Sequence, residues 1–147
     1  MKNNWQMGTI SKDFSYKEFE ASAVADKKGI CNVITSFEVR DAILSLVENV
    51  LQPLRDAWGK PLHINSGYRC REVNAAVGGV PTSQHVKGEA ADIAVENPAE
   101  LARLATSLGL PFDQMILYPT FVHFSHKLKG EQRGQILYNW RYKGERL

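Results

Sequence analysis

The residues best able to carry chemistry lie in the stretch Ser83-Gln84-His85-Val86-Lys87-Gly88-Glu89-Ala90-Ala91-Asp92. His85 precedes a turn predicted at Gly88, and Asp92 falls on the strand that follows. Alternation places Asp92 on the same strand face as Ala90, whose small side chain leaves room for an ion. One imidazole nitrogen and one carboxylate oxygen suit zinc, whose catalytic sites use three protein ligands and keep one position open. The pattern therefore predicts a third ligand on another strand.

A residue of the right type occurs in the stretch Phe121-Val122-His123-Phe124-Ser125-His126. His123 lies on an apolar strand, and its two neighbours face the opposite side. Together with His85 and Asp92 it would hold zinc and leave a position for a water, whose pKa zinc lowers toward about 7. A histidine and an aspartate at this spacing also occur by chance, so spacing alone leaves surface and core roles open.

The same residues belong to a wider pattern that resembles the M15 family of zinc peptidases. These are the D-Ala-D-Ala carboxypeptidase-like enzymes of bacterial cell walls and phage endolysins. The resemblance extends from about Phe14 to about His126. The residues that carry it are Ser66-Gly67-Tyr68-Arg69, Asn74, Gly79, Ser83-Gln84-His85-x-x-Gly88-x-Ala90-x-Asp92 and Val122-His123-Phe124-Ser125.

The resemblance implies a zinc cofactor and a role for each matching residue. His85, Asp92 and His123 match the zinc ligands of the family. Arg69 matches an arginine that contacts the substrate and stabilises the developing oxyanion, as a fixed guanidinium beside a metal can do. The neighbouring Ser83 and Gln84 match the motif, and we expect them to support the ligands or to form the turn.

The general base stays unassigned. In several branches of the family an acidic residue stands three positions before the last zinc histidine, and in another branch a histidine stands two positions before it. Here these positions hold Thr120 and Phe121. Asp113 and His126 are the nearest titratable candidates, although alternation places His126 opposite His123. The base comes from elsewhere, or the metal and Arg69 act alone at a reduced rate, or catalysis is lost; a base contributes about 10²–10⁴-fold.

The hydrophobic pattern predicts the elements that position these residues. Apolar residues at helical spacing follow a capping-box pair, Thr35 and Glu38, and predict a main helix of about 20 residues with a kink at Pro53. Residues 25–32 are typical of a loop, and a further helix begins at Asn97-Pro98-Ala99-Glu100. Strand-like segments lie at residues 61–66, 89–95, 112–118, 121–126 and 135–141. From the last segment onward Tyr138, Trp140 and Tyr142 alternate, which favours a core or edge packing face over a platform for stacking on glycans.

This order predicts one α+β domain over residues 1–147. A small, mainly antiparallel sheet carries the zinc site, and helices pack on one side of it.

Composition excludes several classes of function. The chain has 147 residues, with 18 Lys+Arg against 16 Asp+Glu and a formal net charge of +2. Such a balance argues against nucleic acid as a partner. No apolar run approaches the roughly 20 residues of a membrane helix, so we expect no membrane insertion. Residues 1–12 lack the apolar core of a signal peptide, which predicts synthesis in the cytoplasm. The two cysteines, Cys31 and Cys70, are expected to be reduced thiols near the core.

The resemblance implies zinc-dependent hydrolysis of a peptide bond in the stem peptides of bacterial peptidoglycan. We expect a monomeric phage or prophage lysin that reaches the cell wall when phage lysis releases it. The alternative is a non-catalytic, zinc-stabilised module that binds the cell wall or forms part of a virion. Arg69 favours the enzyme, whereas the unfilled base positions at Thr120 and Phe121 favour the alternative.

Overall fold

The computed structural model describes residues 8–147, so most of the polar segment 1–12 lies outside the described residues. Within residues 8–147, no helix is long and apolar enough to cross a membrane. The α-helices are α1 Tyr16–Glu20, α2 Ala23–Lys28, α3 Phe37–Leu46, α4 Gln52–Trp58, α5 Arg71–Ala76, α6 Gln84–Lys87 and α7 Pro98–Ser107. The strands are β1 His63–Ser66, β2 Ala90–Ala94, β3 Gln114–Leu117, β4 Phe121–Ser125 and β5 Gln135–Tyr138.

The strands form one sheet in the order β1-β2-β4-β3-β5. Neighbouring strands are antiparallel except β3 and β5, which pair in parallel. The predicted α+β class and mainly antiparallel sheet are therefore confirmed, with one parallel edge pair. The register places Asp92 opposite His123 on β4 and His123 opposite Ile116 on β3. Asp92, His123 and Ile116 therefore lie side by side across the adjacent strands β2, β4 and β3.

The two faces of the sheet have different neighbours because side chains alternate along each strand. One face packs against helices and is fully buried; it carries Ala91, Ile93, Val122, Phe124, Met115 and Leu117. The opposite face carries Asp92 and His123, together with alternate residues of β3. The inward-facing apolar residues of β2, β3 and β4 therefore form the core, and residues on the opposite face of the same strands line the site.

The long helical region supplies much of that core. α3 begins after Ser36, whose hydroxyl accepts a hydrogen bond from the Val39 amide, so the cap lies one residue beyond the predicted Thr35. The predicted kink at Pro53 takes the form of a π-helical turn over Val47–Leu51, directly before α4. A wider turn accommodates a proline ring that would clash with the preceding turn of a regular helix. Six side chains of the region are fully buried: Ile43, Leu46, Val47, Val50, Leu51 and Leu54.

The loop predicted at residues 25–32 is wrong in its first half. α2 occupies residues 25–28, because the Ser22 hydroxyl caps its first turn and Gly29 ends it in the left-handed conformation, with φ 69°. Serine and glycine at the two ends are sufficient to define a short helix. Both cysteines are free, but Cys31 is exposed rather than near the core.

The predicted packing face at the end of the chain is confirmed for Tyr138 and Tyr142, which pack against the core, and wrong for Trp140. β5 ends at Tyr138, and the chain then turns, with the Tyr142 amide donating to the Asn139 carbonyl at 2.9 Å. Tyr142 folds back to stack on Tyr138 with ring centroids 5.7 Å apart. Trp140 lies at the turn and is 77% exposed. Strand alternation ceases to apply where the strand ends.

Candidate active site

The fold brings His85, Asp92 and His123 together. The Oδ1 atom of Asp92 lies 2.8 Å from Nδ1 of His123 and 3.4 Å from Nε2 of His85. One ligand atom from each residue lies within 4.8 Å of the other two. The three side chains come from β4, β2 and the short helix α6, so the cluster depends on the tertiary fold rather than on one local motif.

His85 is fixed by the segment that follows β1. Its Nδ1 atom lies 2.7 Å from the Gly67 carbonyl oxygen, which can only accept, so Nδ1 donates this hydrogen bond and Nε2 faces Asp92. The Arg69 amide donates to the His85 carbonyl at 3.1 Å. The sequence predicted a turn before Gly88; the structure has a single helical turn, which Gly88 ends with φ 78°.

The two residues before His85 support this helix. The Ser83 hydroxyl caps α6 by accepting from the His85 amide at 3.2 Å. The Gln84 side-chain amide donates to Glu89 Oε1 at 3.3 Å and to Asp113 Oδ2 at 3.2 Å. Ser83 and Gln84 therefore hold α6 in place, although neither donates to a side chain of the His85, Asp92 and His123 cluster.

Asp92 is an anion at neutral pH despite its burial. Burial by itself would raise the pKa of this carboxyl group, but hydrogen bonds and charge from His123 and His85 outweigh it. The pKa therefore lies well below its ordinary value. An ionised carboxylate beside two imidazoles offers one oxygen and two nitrogen atoms as possible metal ligands.

This donor set fits a divalent metal ion. A tetrahedral ion with ligand bonds of about 2.1 Å separates its ligands by about 3.4 Å. Asp92 Oδ1 already lies at this distance, 3.4 Å, from His85 Nε2, whereas its distance to His123 Nδ1, 2.8 Å, is about 0.6 Å shorter. Only small side-chain movements are needed for all three atoms to reach one ion.

Arg69 lies beside the cluster with its guanidinium anchored. Nε donates to the Ser66 hydroxyl at 3.1 Å, and Nη1 lies 3.4 Å from Asn74 Oδ1. Nη2 lies 3.8 Å from Asp92 Oδ2. Asn74 is buried and is itself held by a 2.8 Å hydrogen bond to the Val80 carbonyl. Arg69 therefore presents a fixed positive charge next to the candidate metal ligands.

The cluster opens into a cavity of about 480 Å³, within the range of roughly 300–1,000 Å³ that is typical of ligand sites. It is lined by Arg69, Val80, Thr82, Ser83, Gln84, His85, Asp92, Gln114, Ile116, Tyr118, His123 and Arg133. Tyr118 and Arg133 are not among the site residues predicted from the sequence. Period-two spacing from Gln114 through Ile116 to Tyr118 could have placed Tyr118 on this face, since Ile116 pairs with His123. No local sequence pattern predicts that Arg133 lines the cavity.

Tyr118 presents a protonated hydroxyl in this cavity. Its ring stacks on Phe121, with centroids 4.2 Å apart and planes at 11°. Burial and the negative charge of Asp92 raise the pKa of the phenol, against the opposing effect of Arg69. Tyr118 is therefore a hydrogen-bond donor at neutral pH.

The structure places neither Asp113 nor His126 in the cavity. Asp113 is fully buried, and hydrogen bonds and charge from Arg133 outweigh the effect of burial, bringing its pKa to about 2. Nδ1 of His126 lies 2.7 Å from the Pro111 carbonyl oxygen. Of the two family positions, Thr120 is exposed and lines a separate depression with Ala94, Val95 and Glu96. Phe121 stacks on Tyr118.

Comparison with known proteins agrees with this geometry. The family model described as Peptidase M15 matches residues 12–126, which contain every residue of the His85, Asp92 and His123 cluster and Arg69. No significant match was found among curated proteins.

Proposed function

Because the chain belongs to the peptidase M15 family, we propose that it is a zinc peptidase that hydrolyses a peptide bond in the stem peptides of bacterial peptidoglycan. The observation that carries the proposal is the convergence of His85, Asp92 and His123 beside Arg69 in an open cavity. Family membership supports metal-dependent peptidase activity. The cell-wall substrate, zinc as the metal and a phage or prophage lysin as the biological setting belong to the proposal.

The three candidate ligands suit a catalytic ion better than a structural one. Structural zinc sites are closed by four protein ligands, whereas catalytic sites use three and keep a position open. Here three donors face a cavity, and no thiol lies among the cavity-lining residues that the structure describes. An ion held by these donors lowers the pKa of a coordinated water and polarises a carbonyl oxygen.

Arg69 supplies the positive charge that the reaction needs outside the metal. Attack on a peptide carbonyl develops negative charge on its oxygen, and a preorganised donor stabilises that charge. The hydrogen bonds from Arg69 to Ser66 and Asn74 hold the guanidinium in place before substrate arrives. A fixed donor does not have to reorganise as the charge develops, so its effect falls on the transition state rather than on substrate binding.

Tyr118 supplies a second donor in the same cavity. Its hydroxyl has no hydrogen-bond partner among residues 8–147, and stacking on Phe121 limits where the ring can move. The donor is therefore available to a substrate oxygen or nitrogen. In this proposal Tyr118 and Arg69 contact the reacting amide together.

One observation favours a second candidate function. Among the described residues that line the cavity, Asp92 is the only one with a carboxylate, and His85 and His123 are the only two histidines. All three belong to the candidate metal cluster, so no separate side chain of ordinary general-base type remains. A non-catalytic module that uses the same cavity to bind cell-wall peptides is the alternative.

Digestion of defined peptidoglycan fragments distinguishes these functions. Purified protein is incubated with muropeptides in the presence of zinc or of a chelator, and products are identified by mass spectrometry. A cleavage product that depends on zinc supports the peptidase and identifies the bond. Binding of the same fragments without any product supports the non-catalytic module.

A further inference from the structure

The cavity contains a second guanidinium, that of Arg133. It has no role in the proposed binding of the metal by His85, Asp92 and His123 or in the proposed contacts to the reacting amide. Its Nε donates to both carboxylate oxygens of Asp113, at 3.1 and 3.2 Å, and its Nη2 donates to Oδ2 at 2.7 Å. The Arg133 amide donates to Asp113 Oδ1 at 2.9 Å. Asp113 thus binds one edge of the guanidinium and also its backbone.

The other edge of this guanidinium is available. A guanidinium has five N–H donors, and the pair formed by Nε and Nη2 leaves both hydrogens of Nη1 and one of Nη2. These remaining donors have no partner among residues 8–147. The side chain is 45% exposed and borders the cavity. The free edge has the fork geometry that binds a carboxylate through two parallel hydrogen bonds.

The segment that carries Arg133 is fixed to the sheet. The Gly134 amide donates to the Phe112 carbonyl at 3.2 Å, and the Gln135 amide donates to the Asp113 carbonyl at 3.0 Å. Asp113 also accepts from Gln84, which precedes the candidate ligand His85. The same buried carboxylate therefore connects Arg133 to the helix of the metal cluster, so their relative position is set before substrate binds.

Arg133 is the charged member of this network that borders the cavity. Lys127 places its Nζ atom 3.8 Å from Asp113 Oδ1, and Glu89 accepts from the same Gln84 amide as Asp113. None of Lys127, Glu89 and Asp113 lines the cavity. A carboxylate of the ligand would therefore meet the guanidinium of Arg133 and its preformed pair of donors.

We propose that Arg133 is a specificity-determining residue, which binds a carboxylate of the substrate away from the bond that is cut. The inference rests on the proposed function, since it takes the substrate to be an acidic peptide. Peptidoglycan stem peptides offer two such groups: the α-carboxylate of a γ-linked D-glutamate and the C-terminal carboxylate. Both present the same chemistry to the guanidinium.

Three synthetic peptides test the proposal on the unmodified protein. The parent peptide is L-Ala-γ-D-Glu-L-Lys-D-Ala-D-Ala. In the second peptide the α-carboxylate of D-glutamate is an amide, and in the third the C-terminal carboxylate is an amide. Removing the recognised charge is expected to lower affinity, measured by calorimetry, by about tenfold to a hundredfold, as for a hydrogen-bonded ion pair. The form that loses affinity identifies the carboxylate. Equal binding of all three peptides overturns the proposal.

Variants of Arg133 test whether this residue causes the difference in affinity between the peptides. Arg133→Gln is expected to bind the parent and the amidated peptides equally, and Arg133→Lys, which keeps the charge for Asp113, is expected to retain part of the discrimination. Arg103→Gln is the matched control, because Arg103 is 47% exposed and also pairs with a carboxylate, Glu145 at 2.7 Å, outside the cavity. Full discrimination in folded Arg133→Gln overturns the proposal. Because binding is measured separately from cleavage, failure of hydrolysis alone counts against the proposed function and not against this inference.

Discussion

Asp92 and His123 are directly paired residues of adjacent antiparallel strands, with Oδ1 of Asp92 2.8 Å from Nδ1 of His123. The sheet register thus fixes the separation of two of the three candidate metal ligands. The third, His85, is brought to the same oxygen by the Gly67 carbonyl and by the helix that Ser83 caps. A site assembled on strands and on a clamped helix needs little rearrangement to bind an ion.

Replacing Arg69 by alanine tests the oxyanion role. The polar contacts of the guanidinium go to Ser66, Asn74 and Asp92 beside the cavity, so we expect Arg69→Ala to remain folded and to keep its metal. Hydrolysis of peptide fragments is expected to fall about 10²–10³-fold, the usual effect of removing one oxyanion donor. Steady-state kinetics and metal analysis of the same sample measure both. Normal turnover by the variant would show that the reaction does not use this guanidinium.

Replacing Tyr118 by phenylalanine removes the second donor and keeps the ring stacked on Phe121. We expect kcat to fall about tenfold to a hundredfold, with metal content unchanged, because a hydrogen bond to a charged group contributes about 1.5–3 kcal/mol. Tyr138→Phe is the control, since Tyr138 lies on β5 and does not border the cavity. An unchanged kcat for Tyr118→Phe would remove Tyr118 from the reaction.

Thr120→Glu places a carboxylate at the position where several M15 branches carry an acidic residue. Thr120 borders a depression with Ala94, Val95 and Glu96, not the cavity of the metal cluster. We therefore expect no rise in the rate of hydrolysis. A rise of tenfold or more, within the range that a general base contributes, would show that this position reaches the substrate and is merely unfilled.

Asp113 makes stability depend on pH. Its pKa is about 2 in the folded protein against 3.8 for the free side chain, so the folded state holds the ionised form more strongly than the unfolded chain does. This stabilisation is present above about pH 4 and is lost as pH falls toward 2. Urea unfolding of the protein and of Asp113→Asn at pH 7, 4 and 2.5 measures it. The difference in unfolding free energy, about 1–3 kcal/mol at pH 7, is expected to shrink at pH 2.5; a constant difference would contradict the assignment.

The sequence contained most of the information about the sheet and the candidate metal ligands. Alternation along β2 and β4 predicted that the strand neighbours of Asp92 and His123 face the opposite side, and Asn97 accepts the hydrogen bond expected of a helix cap. These features depend on residues close together in the chain. The M15 resemblance added the role expected of Arg69.

Other features depend on contacts that local patterns do not encode. Arg133 enters the cavity because it pairs with Asp113 twenty positions earlier in the chain, and nothing in its own segment indicates that pairing. Asp113 was a candidate base because it is close to His123 in the sequence. In the structure it is paired with Arg133. The fold-back of Tyr142 onto Tyr138 likewise follows from packing.

In the proposed mechanism, His85, Asp92 and His123 bind one zinc ion on which peptide hydrolysis depends. The most direct measurement strips the protein of metal, returns zinc in known amounts, and records bound zinc and cleavage of peptidoglycan peptides in the same samples. We predict that cleavage rises in proportion to zinc and stops rising at one ion per chain. His85→Ala should lose both zinc and cleavage, whereas His63→Ala, at an exposed position on β1, should lose neither. Full cleavage by metal-free protein, or by His85→Ala, would contradict the claim.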